Sequence, residues 1–130
     1  MKLNTTSQYA IRIMEFIAKD STTLYNAKTI SEELAIPYKY LTRIMTQLIE
    51  ANFLKSIRGR EGGYSLLEKP ENIKILNILE SVKESVNSKN CILGTGLCKE
   101  SKKCSLHDVW RTPKKEILKM FNGTTLKDII

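Results

Sequence analysis

Over the first fifty residues, apolar positions recur at the three-to-four-residue spacing of amphipathic helices, in blocks separated by polar or proline breaks. Tyr9, Ala10, Ile13, Met14, Phe16 and Ile17 form one stripe and predict a helix over residues 7–19, capped by Thr5, Thr6 or Ser7. After a polar turn at 20–23, Asn26 is the expected cap of a second helix reaching about Ala35, with Ile30 and Leu34 inward and Glu32 and Glu33 outward. Ile36-Pro37 ends it, because the residue before proline is pushed out of the helical region. A third helix is expected at once over residues 38–52, facing inward with Leu41, Ile44, Met45, Leu48 and Ile49.

The period then changes from helical to alternating. Residues 53–57 and 63–67 read as strands around a glycine-containing basic turn at 58–62. Beyond Pro70, the spacing of Ile73, Ile75, Leu76, Leu79 and Val82 predicts a fourth helix to about Val86, followed by a polar hinge at 87–90. Leu106, Val109, Trp110, Ile117, Leu118 and Phe121 predict a long helix from about Cys104 to Phe121, with either a kink at Pro113 or a start near Thr112. Asn122-Gly123 should stop it, and Thr124 should cap a short last helix through Leu126, Ile129 and Ile130. The fold class is therefore mainly α with a small β-hairpin wing: a winged helix-turn-helix over residues 1–70, then residues 71–130 carrying a long C-terminal helix, all in one compact unit.

Two helices on a tight turn followed by a hairpin place polar side chains where duplex DNA would lie. Pro37, Tyr38, Lys39, Tyr40, Thr42 and Arg43 open the second helix of the pair and are the candidates for base edges and phosphates. Lys55, Arg58, Gly59 and Arg60 make the wing a candidate for phosphate or minor-groove contact. Charge agrees: the 130-residue chain carries +7 and a pI near 9.4, which favours a polyanionic partner. No apolar run approaches the length of a membrane span, and residues 1–4 lack the apolar core of an export signal, so a reducing cytoplasm is expected. The long helix is apolar on a broad side outside the winged helix. Val109, Trp110, Ile117, Leu118 and Phe121 are the candidates to bury it against a second copy in a twofold dimer.

All three cysteines and the single histidine fall between residues 91 and 107. Cys91, Cys98, Cys104 and His107 are soft donors suited to zinc or an iron–sulfur cluster rather than magnesium or calcium. Gly94-Thr95-Gly96 lets the backbone fold back between the first two thiols. An odd cysteine count with no export signal argues against a disulfide framework. With its one histidine among these donors, the chain shows no nucleophile–base pair and no phosphate-cradling loop, so neither an enzyme nor a small-molecule substrate is expected. From the residues alone, a zinc-stabilised DNA-binding module and a small electron-transfer protein remain alternatives.

The chain resembles the bacterial winged-helix regulators of the IscR/NsrR/CymR family over nearly its full length. The resemblance rests on residues 9–12 (Tyr-Ala-Ile-Arg), 36–41 (Ile-Pro-Tyr-Lys-Tyr-Leu), 57–66 (Ile-Arg-Gly-Arg-Glu-Gly-Gly-Tyr-Ser-Leu), and on Cys91, Cys98, Cys104, His107 and Trp110. CymR-type members lack the cysteine trio. The resemblance implies a homodimeric, DNA-binding transcriptional regulator acting on a pseudo-palindromic operator, and in its IscR-like branch a 2Fe–2S cluster on three cysteines and a histidine. By position those ligands are Cys91, Cys98, Cys104 and His107. It also implies a sensor of cluster status, redox state or nitric oxide, the alternative being a nitric-oxide-sensing repressor with a 4Fe–4S cluster. In some nitric-oxide sensors a carboxylate of the partner's first helix is the fourth ligand; this chain has Gln8 there. Six residues separate Cys91 from Cys98, one more than in the IscR pattern, and five separate Cys98 from Cys104.

Overall fold

The computed structural model describes residues 2–84, 91–94 and 96–130. The hinge expected at 87–90, Val86 and Thr95 lie outside the described residues. The elements are α1 (Thr5–Lys19), α2 (Ala27–Leu34), α3 (Tyr38–Glu50), β1 (Leu54–Ile57), β2 (Gly63–Leu66), a 3-10 turn (Pro70–Asn72), α4 (Ile75–Ser81), α5 (His107–Gly123) and α6 (Leu126–Ile129).

Helix α1 starts two residues earlier than its apolar stripe suggests. Asn4, rather than a Thr or Ser, is the cap, its side-chain oxygen accepting from the Ser7 amide at 2.8 Å. Asn26 caps α2 the same way through Thr29, also at 2.8 Å. That helix ends in the left-handed region at Ala35 (φ 52°), and the Ile36 amide returns to the Ser31 carbonyl at 3.0 Å. Pro37 then opens α3 by accepting from the Leu41 amide at 2.9 Å. The two helices thus meet across a turn only three residues long, residues 35–37.

The wing is an antiparallel pair in the register Leu54↔Leu66 to Ile57↔Gly63. Its turn-side end is pinned to the chain before α2, where the Tyr64 amide donates to the Tyr25 carbonyl at 2.9 Å. A Cβ on Gly63 (φ 157°) would lie 2.6 Å from that carbonyl oxygen, so the approach requires glycine.

One hydrophobic cluster joins α1 (Ile13, Met14, Ile17), α3 (Leu41, Ile44, Leu48), Leu54, α4 (Ile78, Leu79) and Leu126 of α6. The fourth helix is much shorter than the apolar spacing implies. Ile73 is fully buried but precedes the helix, because residues 73–75 are bonded to the C-terminal segment: Leu126 amide to Ile73 carbonyl at 2.8 Å, Ile75 amide to Thr124 carbonyl at 2.9 Å. Val82 closes α4, and Glu84 turns back to α1, its carboxylate accepting from the buried Ser7 hydroxyl at 2.5 Å. The last helix is capped by Thr125 instead of Thr124, with Asp128 completing a capping box.

Helix α5 starts at His107, not Thr112, and runs continuously through Pro113 to Gly123. Proline removes one backbone donor, and the carbonyl four residues earlier belongs to Val109, a well-exposed residue where water can replace it. None of the α5 residues is buried; Val109 is 68% exposed and Met120 53%.

Candidate nucleic-acid interface and thiol site

The first turns of α3 split into two classes. Tyr38 (55% exposed), Lys39 and Arg43 project into solvent. Tyr40 does not. Its hydroxyl is hydrogen-bonded to the Thr6 hydroxyl at 2.5 Å, and its ring meets Tyr9 edge-on, with centroids 5.5 Å apart and planes at 87°. Thr42 is half-buried, and its hydroxyl donates to the Lys39 carbonyl at 3.0 Å. Pro37 is exposed at the start of the same helix. Sequence reasoning grouped Tyr40 with the solvent-facing side chains. The structure makes it a strut that fixes α3 on α1.

Arg12 is a second strut. Its guanidinium donates to the Leu34 carbonyl at 2.7 Å, within the last turn of α2, and lies 5.9 Å from the Tyr9 ring centroid. Thr6, Tyr9 and Arg12 occupy successive turns of one α1 face; that spacing was the available signal for their joint role. In the wing, Lys55, Arg58, Gly59 and Arg60 are all exposed, and the Gly62 amide closes the tip on the Gly59 carbonyl at 3.1 Å.

Cys91 is only 8% exposed. Its amide donates to the Gly96 carbonyl at 2.7 Å and its carbonyl accepts from Gly94 at 2.9 Å, a turn that uses positive φ at both glycines (75° and 106°). The Leu93 amide points at the Cys91 sulfur at 3.4 Å. Cys104 sits just before α5, and its carbonyl accepts from the His107 amide at 3.2 Å, so the two lie on one turn as their spacing predicts.

The neighbouring Cys91 thiol, followed by desolvation, pushes Cys104 above the ordinary thiol value; the Leu106 amide opposes the shift, and the charges of Cys91 and Cys98 add to it. Cys98 and Cys104 are half-buried, and with His107 they line a cavity of about 300 Å³ roofed by Trp110 and Leu118. None of the three cysteines is in a disulfide.

Glu100 is the residue that motif reasoning missed. Its carboxylate lies 3.5 Å from His107 Nε2, 3.1 Å from Lys103 Nζ, and hydrogen-bonded to Arg111. The Lys103 hydrogen bond is the main cause holding it below the usual carboxylate range, with the Arg111 and Lys103 charges assisting against some desolvation. A glutamate seven residues before the histidine, with Arg111 four after it, was visible in the chain, but only the fold-back of 96–104 brings them together.

As a metal site these donors fit an iron–sulfur group by chemistry. They offer three sulfurs and an imidazole, with an amide aimed at one sulfur. Among the described residues, however, no three His, Cys, Asp or Glu side chains are gathered closely enough to hold a metal ion. Cys98, Cys104 and His107 share the lining of one cavity, and Cys91 is buried.

The winged helix and the soft-donor segment coincide with one known set of proteins. The family model for Rrf2, described as an iron-dependent transcriptional regulator, matches residues 3–130. The chain belongs to the Rrf2 family. It is 30% identical over 131 residues to the transcriptional regulator IscR of Klebsiella pneumoniae, covering all of this chain and 80% of that protein. It is 31% identical over 132 residues to the regulator NsrR of Bacillus licheniformis, covering all of this chain and 92% of the relative. Among solved structures, T. potens IscR superposes with a TM-score of 0.78 at 26% identity, covering 99% of this chain and 85% of that one. This Rrf2 chain is accordingly a DNA-binding, winged-helix transcriptional regulator and not an enzyme. No described helix is long and apolar enough to cross a membrane.

Proposed function

We propose that this Rrf2 regulator binds operator DNA as a twofold homodimer in the cytoplasm and senses its signal through an iron–sulfur cluster held by Cys91, Cys98, Cys104 and His107. Residues 1–70 read the DNA, and residues 71–130 carry the cluster and the dimer contact. The observation that supports this most is that Cys98, Cys104 and His107 line one cavity with Trp110 and Leu118 of α5, a helix with no buried residue of its own. A second copy would cover Val109, Trp110, Ile117 and Leu118, whereas Phe121 already packs in part on its own chain's core.

In the DNA complex, Tyr38, Lys39 and Arg43 reach the major groove from α3, flanked by Pro37 and Thr42, while Tyr40 holds that helix in position. Lys55, Arg58 and Arg60 reach flanking phosphates or the minor groove, with Gly59 shaping the tip. A twofold dimer must set its two α3 helices about 34 Å apart, or a multiple of it, to meet successive half-sites. Residues that move α5 therefore change operator affinity, provided the cluster binds the two dimer geometries unequally.

A bound cluster supplies a centre that oxidants or nitric oxide can alter. The chain's own part is to hold it: thiolates from both ends of the 91–104 segment, the imidazole at the first residue of α5, and Glu100 fixing the ring from the outer side. The IscR-like pattern of three cysteines and a histidine implies 2Fe–2S, with 4Fe–4S the alternative. Anaerobic purification with iron and sulfide counts, an absorption spectrum and operator binding tests the reading. A coloured 2Fe–2S protein whose operator affinity changes on cluster removal is expected; colourless zinc protein would leave a structural metal site in its place.

A further inference from the structure

Opposite the buried Leu41, Ile44, Met45 and Leu48, helix α3 turns a second face outward, made of Lys39, Thr42, Arg43 and Thr46 at the spacing of neighbours on successive turns. Both threonine hydroxyls on that face are folded back onto the helix. Thr42 donates to the Lys39 carbonyl and Thr46 to the Thr42 carbonyl, each at 3.0 Å. With Oγ1 held there, Cγ2 is the group that each side chain has left for a partner, and Lys39 and Arg43 supply the charge. We propose that Thr42 and Thr46 form a methyl ridge that reads the 5-methyl groups of thymine in each operator half-site.

Thymine alone among the four bases carries a methyl group at the edge of the major groove, and a threonine methyl packs on it. A free threonine hydroxyl serves donor and acceptor edges alike and so discriminates poorly between bases. Tying its proton to a backbone carbonyl removes the donor role, and selection passes to shape and apolar contact. The rival contact is an adenine or cytosine amino group donating to the same Oγ1. It needs the hydroxyl and not the methyl, so it predicts the opposite response to substitution. The inference rests on the proposed docking of α3 in the major groove, and it is independent of the cluster.

In the test, anaerobically isolated full-length protein selects an operator from a random duplex library, and uracil then replaces each thymine of the selected half-site in turn. One thymine for each threonine should show a penalty of about fourfold in affinity per methyl removed, the worth of one buried methyl group. Thr42→Ser should erase the penalty at one of these positions and Thr46→Ser at the other. Thr42→Val and Thr46→Val keep the methyl and lose the hydroxyl, so they should keep both the parent affinity and the penalty; thermal melts confirm that the variants fold. A half-site without thymine, no uracil penalty at any position, a penalty unchanged by either serine variant, or valine variants that lose binding while the serine variants keep it, overturns the methyl contact. Lys39→Ala and Arg43→Ala separate this inference from the docking. Loss of affinity in them with no uracil effect overturns the inference alone, whereas undiminished affinity refutes the placement of α3 in the groove and the inference with it.

Discussion

Replacing Tyr40 by Phe separates two roles for a residue at the start of the DNA-facing helix. The substitution keeps the ring against Tyr9 and removes only the oxygen bonded to Thr6. A net hydrogen bond contributes about 0.5–1.5 kcal/mol, and the Thr6 hydroxyl, half-buried, can recover part of its bonding from water. Chemical denaturation at fixed protein concentration should therefore show a loss of about 1 kcal/mol, a shift of Tm by several degrees at this chain length. Thr6→Val should cost a similar amount. The double variant should cost less than the two added together, because both singles remove the same bond. Operator affinity should fall uniformly across sequences, with the ranking of base substitutions kept. A direct base contact gives the opposite pattern: discrimination at one base position falls by about 1–3 kcal/mol with stability unchanged. That outcome would refute the strut.

Arg58→Ala or Arg60→Ala in the wing should weaken binding to all operators alike and lower the salt dependence, by about 0.9 in log–log slope for each phosphate left without its cation; titrations over a salt series check this. Glu84→Ala should cost about 1–3 kcal/mol, because it leaves the buried Ser7 hydroxyl without its partner, and Glu84→Gln should recover much of it; urea unfolding reads both. The Asp20 carboxyl, held by the Thr23 and Thr22 hydroxyls and the Thr22 amide, is pulled down from 3.8 to about 2. A depressed folded-state value means that its contribution is present above 3.8 and lost as pH falls through about 2; an NMR titration should find that midpoint, and Thr23→Val should raise it.

Where local chemistry decides the fold, the chain could be read directly. Apolar spacing located α1 and α3, because those residues enter the core, and the extent of α5, whose apolar residues form a continuous strip. Asn26 and Pro37 set the helix-turn-helix through bonds only three or four residues long. Errors arose where a distant segment intervened. The 73–75 stretch has helical spacing but pairs with residues 124–126, which cuts α4 short, and no window of sequence contains both strands of that contact. Asn4 outcompeted the Thr-Thr-Ser run as a cap, supported by Glu84, whose carboxylate accepts from the Asn4 amide at 3.2 Å. Tyr40 looked like a DNA reader because it neighbours Lys39 and Arg43; Thr6 and Tyr9 on another helix turned it inward.

At the thiol segment, donor identity was legible and arrangement was not. The four candidates share one region, yet the fold buries Cys91, lines one cavity with Cys98, Cys104 and His107, and sets Glu100 beside the imidazole. Such placement depends on a backbone turn at two glycines and on ion pairs made by Arg111 and Lys103, interactions that spacing alone does not encode.

Operator binding by anaerobically isolated protein, measured on the same preparation before and after removal of its iron, tests the central claim most directly. Coupling of the thiol segment to the DNA-reading dimer predicts that iron and sulfide leave together and that affinity for at least one operator changes with them. Iron-free protein from the outset, or identical affinities for every operator at every salt concentration, would contradict it.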